Sequence, residues 1–145
     1  MVGPGTGIAP FRAFVEQRES DKATGKNWLF FGDQHEATEY YYKTQIETWL
    51  ENGTLDKFTT AWSRDQAEKI YVQNRMLENA QEIWEWIDNG AYFYVCGDKN
   101  YMAKDVHAAL IKICSEHGNM NIDDATHFVT QTLMKEERRY LRDVY

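Results

Sequence analysis

Short apolar runs alternate along this chain with amphipathic stretches, and this alternation restricts the possible fold more than any other feature. The predicted strands cover residues 27–31, 57–62, 91–96 and about 139–144. The clearest predicted helix covers residues 100–117, where apolar side chains recur on one face until Gly118 ends the pattern. Such an order predicts an α/β fold: an open, doubly wound, mostly parallel sheet with helices on both faces.

Two further patterns support this interpretation. A second helix is predicted where apolar positions recur at helical spacing, namely Ala125, Phe128, Val129, Thr132 and Leu133. Gly53 and Gly90 each follow an asparagine at the end of a predicted helix, where glycine accepts the left-handed backbone that closes it. The sequence shows no repeat and no low-complexity linker, and we expect residues 1–145 to form one domain.

The chain opens on glycines, in the segment Met1-Val2-Gly3-Pro4-Gly5-Thr6-Gly7-Ile8-Ala9-Pro10-Phe11. This pattern is typical of a strand end, a glycine turn and a helix start, where free amides and the helix dipole favour a pyrophosphate. The spacing differs from the usual dinucleotide fingerprint, which would require glycine in place of Ile8. Asp33 is the nearest acidic candidate for binding a ribose, but a role as a helix cap is the favoured alternative. Both departures disfavour NADH as the ligand.

A second candidate site follows the strand predicted at residues 57–62. Ser63 and Arg64 come directly after it, and Lys69, Tyr71 and Gln73 follow within ten residues. A guanidinium can meet two oxygens of a phosphate ester while a hydroxyl and an ammonium serve the others. This set of groups therefore predicts a site for the 2′-phosphate that distinguishes NADPH from NADH.

Ser63 and Arg64 have a plainer alternative interpretation when they are considered alone. Serine after a strand is a common helix N-cap, and arginine is a common surface charge. The later residues Lys69, Tyr71 and Gln73 favour the phosphate site over this alternative.

Composition excludes several other classes of protein. The net charge of −7 argues against nucleic acid or an anionic membrane as the main partner. The two cysteines, Cys96 and Cys114, are too few for a disulfide framework, so we expect a cytoplasmic protein. The histidines have no metal-like spacing with one another or with the cysteines, and the sequence predicts no metal site.

Four motifs in this order resemble the NADP-binding domain of the ferredoxin–NADP reductase superfamily. They are Gly-Pro-Gly-Thr-Gly-Ile-Ala-Pro-Phe at 3–11, Ser63-Arg64 with Lys69-Ile70-Tyr71-Val72-Gln73, Tyr94-Val95-Cys96-Gly97-Asp98, and Arg142-Asp143-Val144-Tyr145. Within the superfamily the diflavin reductases are most similar, and among these the flavoprotein alpha component of bacterial NADPH–sulfite reductases. The resemblance covers essentially the whole chain.

The resemblance implies roles for individual residues. The adenosine 2′-phosphate and adenine side of NADPH would be bound by Ser63, Arg64, Lys69, Ile70, Tyr71, Val72 and Gln73, with Asp105 nearby. Thr6 and the amides of the glycine turn would face the pyrophosphate and the nicotinamide portion. The catalytic residues would be Cys96 beside the nicotinamide, Asp143, which orients it, and Tyr145, which stacks on the flavin ring of FAD.

Three of these assignments have simpler alternatives. Cys96 at the end of an apolar strand could be an ordinary buried residue, Asp143 a surface charge and Tyr145 a frayed chain end. The motif around Cys96 favours the functional interpretation.

The resemblance also implies an activity. Hydride would pass from NADPH to FAD, and electrons would pass through FMN to a separate sulfite reductase hemoprotein (beta) subunit that reduces sulfite to sulfide for cysteine biosynthesis. Only two residues precede Gly3, so we expect a truncated first strand and a chain that is the C-terminal fragment of a longer flavoprotein. Alone, this chain is expected to bind NADP(H) but to lack activity without its FAD domain. The alternatives are another reductase of the superfamily, acting on a cytochrome, ferredoxin or flavodoxin, or a nucleotide-binding domain without catalysis.

Overall fold

The computed structural model describes all residues from 1 to 145. The chain divides into two compact units, Met1–Val72 and Gln73–Tyr145. Each unit contains a pair of parallel strands together with helices, so the predicted α/β class is confirmed.

The first unit begins with a very short strand segment that pairs with β1. Val2 forms a parallel bridge with Phe30, and the amide of Gly3 donates to the Phe30 carbonyl at 3.0 Å. A 3-10 turn, Gly5–Ile8, follows and leads into the first helix. The elements of this unit are α1 (Ala9–Ser20), β1 (Trp28–Asp33), α2 (Glu36–Glu39), α3 (Lys43–Asn52) and β2 (Lys57–Trp62).

Gly3 allows the chain to enter α1 at close range. A Cβ atom at this position would lie 2.4 Å from the carbonyl oxygen of Gly7 and 2.6 Å from the ring of Phe11. Because the backbone of Gly7 cannot move aside as a flexible side chain can, any larger residue would displace the turn. The first glycine of the motif is therefore required by close packing, and Gly5 by its positive φ of +57°.

The core of the first unit is largely aromatic. Phe31 is fully buried, with Phe58 and Trp62 from β2 at ring-centroid distances of 6.4 and 5.6 Å. Trp49 of α3 is buried, and its indole nitrogen donates to Glu19 at 3.1 Å. The polar tip of this tryptophan is thus satisfied although its ring is removed from water.

The second unit carries the other parallel pair. Its elements are α4 (Val72–Glu78), which starts at the last residue of the first unit, α5 (Ala80–Asp88), β3 (Phe93–Gly97), α6 (Met102–His117), α7 (Ile122–His127), a π-helical segment (Phe128–Glu136) and β4 (Tyr140–Val144). The long helix α6 supplies much of its core through Val106, Leu110 and Ile113.

Asp98 determines where α6 begins. One carboxylate oxygen accepts hydrogen bonds from the amides of Tyr101 and Met102, at 2.7 and 3.0 Å. These bonds satisfy donors that have no partner inside the helix and lower the pKa of the Asp98 carboxyl. The helix consequently starts at Met102, two residues after the predicted start at Asn100.

The four predicted strands are all present, with ends that differ by up to two residues. The helical pattern at 125–133 is realised partly as α-helix and partly as π-helix, a distinction that apolar spacing does not make. Gly53 and Gly90 have φ of +81° and +94°, as predicted for residues that close helices. The position after α6 differs: Gly118 has φ −85°, and Asn119 takes the left-handed conformation.

Candidate functional site

The carboxyl ends of β1 and β2 lie at the same end of a parallel pair, and their hydrogen bonding continues beyond the strands. The Ser63 amide donates to the Asp33 carbonyl at 2.9 Å, and the Arg64 amide donates to the Gln34 carbonyl at 3.0 Å. The backbone of both predicted phosphate-binding residues is therefore fixed by the sheet, because its amides are engaged. No helix follows directly, so the alternative role of Ser63 as an N-cap is wrong.

Asp65 joins the loop after β2 to the loop after β1. One carboxylate oxygen lies 2.8 Å from Nδ1 of His35, and the other accepts from the Glu36 amide at 3.0 Å. The Glu36 amide, followed by His35, holds the pKa of the Asp65 carboxyl below its usual range. Both acceptor oxygens of this aspartate thus have partners in the neighbouring loop.

Arg64 and Lys69 are exposed cations that form no ion pair in the structure. Ser63 is half-buried beside Arg64, and the ring of Tyr71 is 44% exposed. The loop between them is braced by Gln66, whose amide nitrogen donates to the carbonyls of Trp62 and Glu68, each at 2.7 Å. The structure therefore presents two cations, a hydroxyl and a phenol on a loop whose base is held by hydrogen bonds.

Val72 and Ile70 differ in position from the other residues of this motif. Val72 is only 2% exposed, and a Cβ at Gly32 would lie 3.1 Å from its side chain, so the two residues pack closely. Ile70 is half-buried. Packing of Val72 anchors the end of the loop, and the role of both residues in cofactor binding stays a prediction.

The glycine turn lies beside Asp33. Oδ2 of Asp33 is 3.9 Å from the position that a Cβ on Gly5 would occupy, while Oδ1 accepts from the amide of Gln34 at 2.8 Å. The N-cap position of α2, directly before Glu36, is occupied by His35, so the helix-cap role favoured for Asp33 is wrong. Thr6 is exposed on the turn, and its role in binding a pyrophosphate stays a prediction.

In the second unit, β3 and β4 bring the three predicted catalytic residues to one end of the strand pair. Cys96 and Asp143 are opposite each other in the register. The amide of Tyr145 donates to the Gly97 carbonyl at 3.2 Å, and the Lys99 amide donates to the Tyr145 carbonyl at 2.9 Å. The backbone of Tyr145 is therefore part of the ladder rather than a frayed end, while 66% of the residue remains exposed.

Cys96 is nearly buried, with 4% of its surface exposed. Burial, and after it the charge of Asp143, raise the pKa of the Cys96 thiol. A thiol that stays protonated at neutral pH is a weak nucleophile. Cys96 is therefore not suited to forming a covalent bond with a ligand, and its role beside a nicotinamide stays a prediction.

Gln73 and Asp105 are brought together within the second unit. The side-chain amide of Gln73 donates to Oδ2 of Asp105 at 3.3 Å. Asp105 stands in the first turn of α6, where a carboxylate is favoured by the helix dipole. The two predicted adenine-side residues are thus neighbours, although they lie 32 positions apart in the sequence.

Sequence reasoning missed the contact between His35 and Asp65. The sequence could place only the two loops together, because each residue follows a predicted strand by a few positions and parallel neighbours end at the same edge of a sheet; it could not pair these two side chains. No group of three or more His, Cys, Asp and Glu side chains is placed to hold a metal ion. None of the helices combines the length and apolar character that crossing a membrane requires.

Comparison with known proteins gives these features a context. The family described as oxidoreductase NAD-binding domain matches residues 1–108, which include the glycine turn, the loop after β2 and Cys96. The chain belongs to this family.

The whole chain of 145 residues is also similar to proteins named sulfite reductase [NADPH] flavoprotein alpha-component. It is 52% identical to the one from Vibrio vulnificus, and 51% identical to those from Shigella boydii and Enterobacter sp.. The chain spans 23 to 24% of the length of these relatives.

Proposed function

We propose that residues 1–145 form the NADPH-binding domain of a longer diflavin reductase of the sulfite reductase type. The observation that carries this proposal is the 51–52% identity that extends over the whole chain to proteins named sulfite reductase [NADPH] flavoprotein alpha-component. Similarity at this level, with no part of the chain left out, supports a shared cofactor as well as a shared fold.

The loop after β2 fits a 2′-phosphate. Arg64 and Lys69 are exposed and have no competing carboxylate partner, and the hydroxyl of Ser63 lies next to Arg64 in the chain. A ribose phosphate carries about −1.5 to −2 charge at neutral pH. Each charge-assisted hydrogen bond to it contributes roughly 1.5–3 kcal/mol, so this loop would account for a preference for NADP(H) over NAD(H).

Other residues would bind the remainder of the cofactor. The amides of the glycine turn and Thr6 would meet the pyrophosphate, and Gln73 with Asp105 would bind on the adenine side. Cys96 and Asp143 would lie beside the nicotinamide. The exposed ring of Tyr145 would stack on the flavin ring of FAD, in the position that the nicotinamide must enter. The nicotinamide would therefore compete with Tyr145 for the flavin, and binding of the 2′-phosphate would supply the free energy that offsets displacement of the tyrosine.

When it is bound, NADPH supplies a hydride to the flavin. The residues of this chain orient the reacting rings and exclude water, and a neutral Cys96 adds neither a charge nor a nucleophile beside the nicotinamide. Tyr145 would have to move aside before transfer. Its backbone is held by two hydrogen bonds, so this motion would be a rotation of the side chain and not a release of the strand.

The proposal extends to the whole protein. A complete flavoprotein would hold FAD and FMN, pass electrons to a hemoprotein subunit and contribute to the reduction of sulfite to sulfide in cysteine biosynthesis. We place it in the cytoplasm, since both cysteines are free thiols and a disulfide is absent.

Isothermal titration of the 145-residue chain with NADP⁺ and NAD⁺ tests the cofactor part of the proposal. We expect NADP⁺ to bind at least 100-fold more tightly, the ratio for two charge-assisted bonds at the low end of their range. Equal affinities would refute it. The part that concerns the whole protein is tested in a reconstituted flavoprotein–hemoprotein complex. We expect deletion of residues 1–145 to abolish NADPH-dependent sulfite reduction.

A further inference from the structure

We propose that Asp65, held by His35, is a positioning element that fixes the loop carrying Arg64 for the 2′-phosphate. This inference rests on the proposed function, because it concerns the same phosphate site. Neither residue is expected to contact the cofactor.

The argument starts from the proximity of opposite charges. Asp65 follows Arg64 directly and is the carboxylate closest to it in sequence. A carboxylate that paired with the guanidinium would occupy the donors that a phosphate needs and would add a repulsive charge beside it. A loop built to bind a phosphate must therefore direct this carboxylate elsewhere.

The structure shows such an arrangement. Both oxygens of Asp65 are engaged by the loop after β1, through Nδ1 of His35 at 2.8 Å and the Glu36 amide at 3.0 Å. Arg64 has no ion pair, although an aspartate is its neighbour. The partners of Asp65 thus direct its carboxylate toward the loop after β1 and leave Arg64 free to meet a phosphate.

The same contact restrains the loop. The amides of Ser63 and Arg64 are bound to Asp33 and Gln34, and Asp65 adds two bonds one residue further along. These four contacts join three consecutive residues to one neighbouring loop. A loop that is ordered before the ligand arrives loses less conformational entropy on binding, which increases affinity without any new contact.

The test uses the 145-residue chain and calorimetric titration with NADP⁺ and NAD⁺. Asp65→Ala removes a negative charge but also both bonds that restrain the loop, and we expect loss of the restraint to dominate: NADP⁺ binding should weaken about tenfold and NAD⁺ binding should stay within twofold. His35→Ala removes only one of the two contacts and should weaken NADP⁺ binding about threefold. Asp65→Asn keeps a single acceptor oxygen and should recover part of the affinity lost in the alanine variant.

Glu68→Gln is the matched control, because it removes one negative charge from the same loop without touching the His35 contact. Simple electrostatics predicts tighter NADP⁺ binding for both acidic substitutions, whereas positioning predicts opposite results for Asp65 and Glu68. Tighter or unchanged binding by Asp65→Ala would overturn the inference. Circular dichroism checks that each variant folds. If Asp65→Ala does not fold, the NADP⁺ affinity of His35→Ala becomes the test, and an unchanged affinity would overturn the inference.

A double-mutant cycle separates positioning from a general structural effect. If Asp65 acts through Arg64, adding Asp65→Ala to Arg64→Ala should cause less than a twofold further loss of NADP⁺ affinity. A further tenfold loss would contradict the inference. Wild-type protein that binds both cofactors equally would refute the proposed function itself, whereas discrimination that persists in Asp65→Ala would refute only the role of Asp65.

Discussion

The carboxyl ends of the two parallel strand pairs have the same backbone construction but opposite chemistry. In both, hydrogen bonds continue past the strands and fix the backbone of the residues that follow: Ser63 and Arg64 after β2, and Tyr145 after β4. The first end presents exposed cations, whereas the second presents a buried neutral thiol and an exposed aromatic ring. The two ends thus share backbone hydrogen bonding and differ in the side chains that it holds.

The largest effect should come from removing the cation of the first end. Arg64→Ala is expected to cost about 1.5–3 kcal/mol of binding free energy for NADP⁺, because a charge-assisted hydrogen bond is lost. NAD⁺ should bind unchanged, since it lacks the 2′-phosphate. Isothermal titration of both cofactors measures the difference.

Lys57→Ala is the control for this prediction. Lys57 is a cation at the opposite, amino end of the same strand, where it lies 4.2 Å over the ring of Trp28. Its removal should leave both affinities within twofold. A similar loss of NAD⁺ and NADP⁺ affinity in Arg64→Ala would mean that the phosphate binds elsewhere.

The second end should respond to loss of a ring. In the full-length flavoprotein, Tyr145→Ala is expected to reduce the preference for NADPH over NADH about 2- to 10-fold, since an aromatic stacking pair contributes about 0.5–1.5 kcal/mol. Without the stacked ring, entry of the nicotinamide depends less on the energy supplied by the 2′-phosphate. Steady-state kcat/KM with both cofactors is the measurement.

Tyr145→Phe keeps the ring and should retain the wild-type preference. Tyr92→Ala removes another exposed tyrosine of the same unit, 58% exposed just before β3, and should also have no effect. An unchanged preference in Tyr145→Ala would contradict the role of this residue as a gate.

Some of this arrangement was predictable from sequence, for a physical reason. Strands β1 to β4 are apolar runs bounded by polar turns, and burial of such runs does not depend on detailed contacts. The residues after each strand, such as Ser63 and Arg64, could be placed at a sheet edge because parallel strands end there together.

Other features could not be predicted, because they depend on contacts between distant segments. The bond between His35 and Asp65 joins residues 30 positions apart, and its geometry depends on the register of β1 and β2. Asp33 lies beside the glycine turn and does not cap α2, since its position follows from the pairing of Gly3 with Phe30. Local sequence preference cannot encode either arrangement.

A smaller effect is expected from the pH dependence of the second unit. The hydrogen bonds that Asp98 accepts lower its folded-state pKa below the ordinary value of 3.8. Its contribution to stability is therefore present above about pH 3.8 and is lost as the pH falls through the lower, folded-state pKa. Asp98→Asn should thus destabilise the protein at pH 5 to 7 and progressively less as the pH approaches 3.

Urea unfolding of the wild type and of Asp98→Asn across this pH range gives the difference between their free energies of unfolding. Asp88→Asn is the control, since Asp88 is exposed at the end of α5 and its carboxylate forms no hydrogen bond in the structure. Asp88→Asn should change the free energy of unfolding, relative to the wild type, by an amount that does not vary with pH. A penalty for Asp98→Asn that grows on acidification would have the wrong sign and would contradict this account of the cap.

The smallest expected effect is an absence of thiol alkylation in the folded chain. Burial raises the pKa of Cys114 to about 12, and burial with the charge of Asp143 raises that of Cys96. Since only the thiolate reacts with iodoacetamide, neither cysteine of the folded chain should be modified within an hour at pH 7.5, whereas both should react in denaturant. Mass spectrometry counts the adducts, and rapid modification of Cys96 alone would show a reactive thiolate. That result would contradict the description of Cys96 as a neutral thiol at this strand end.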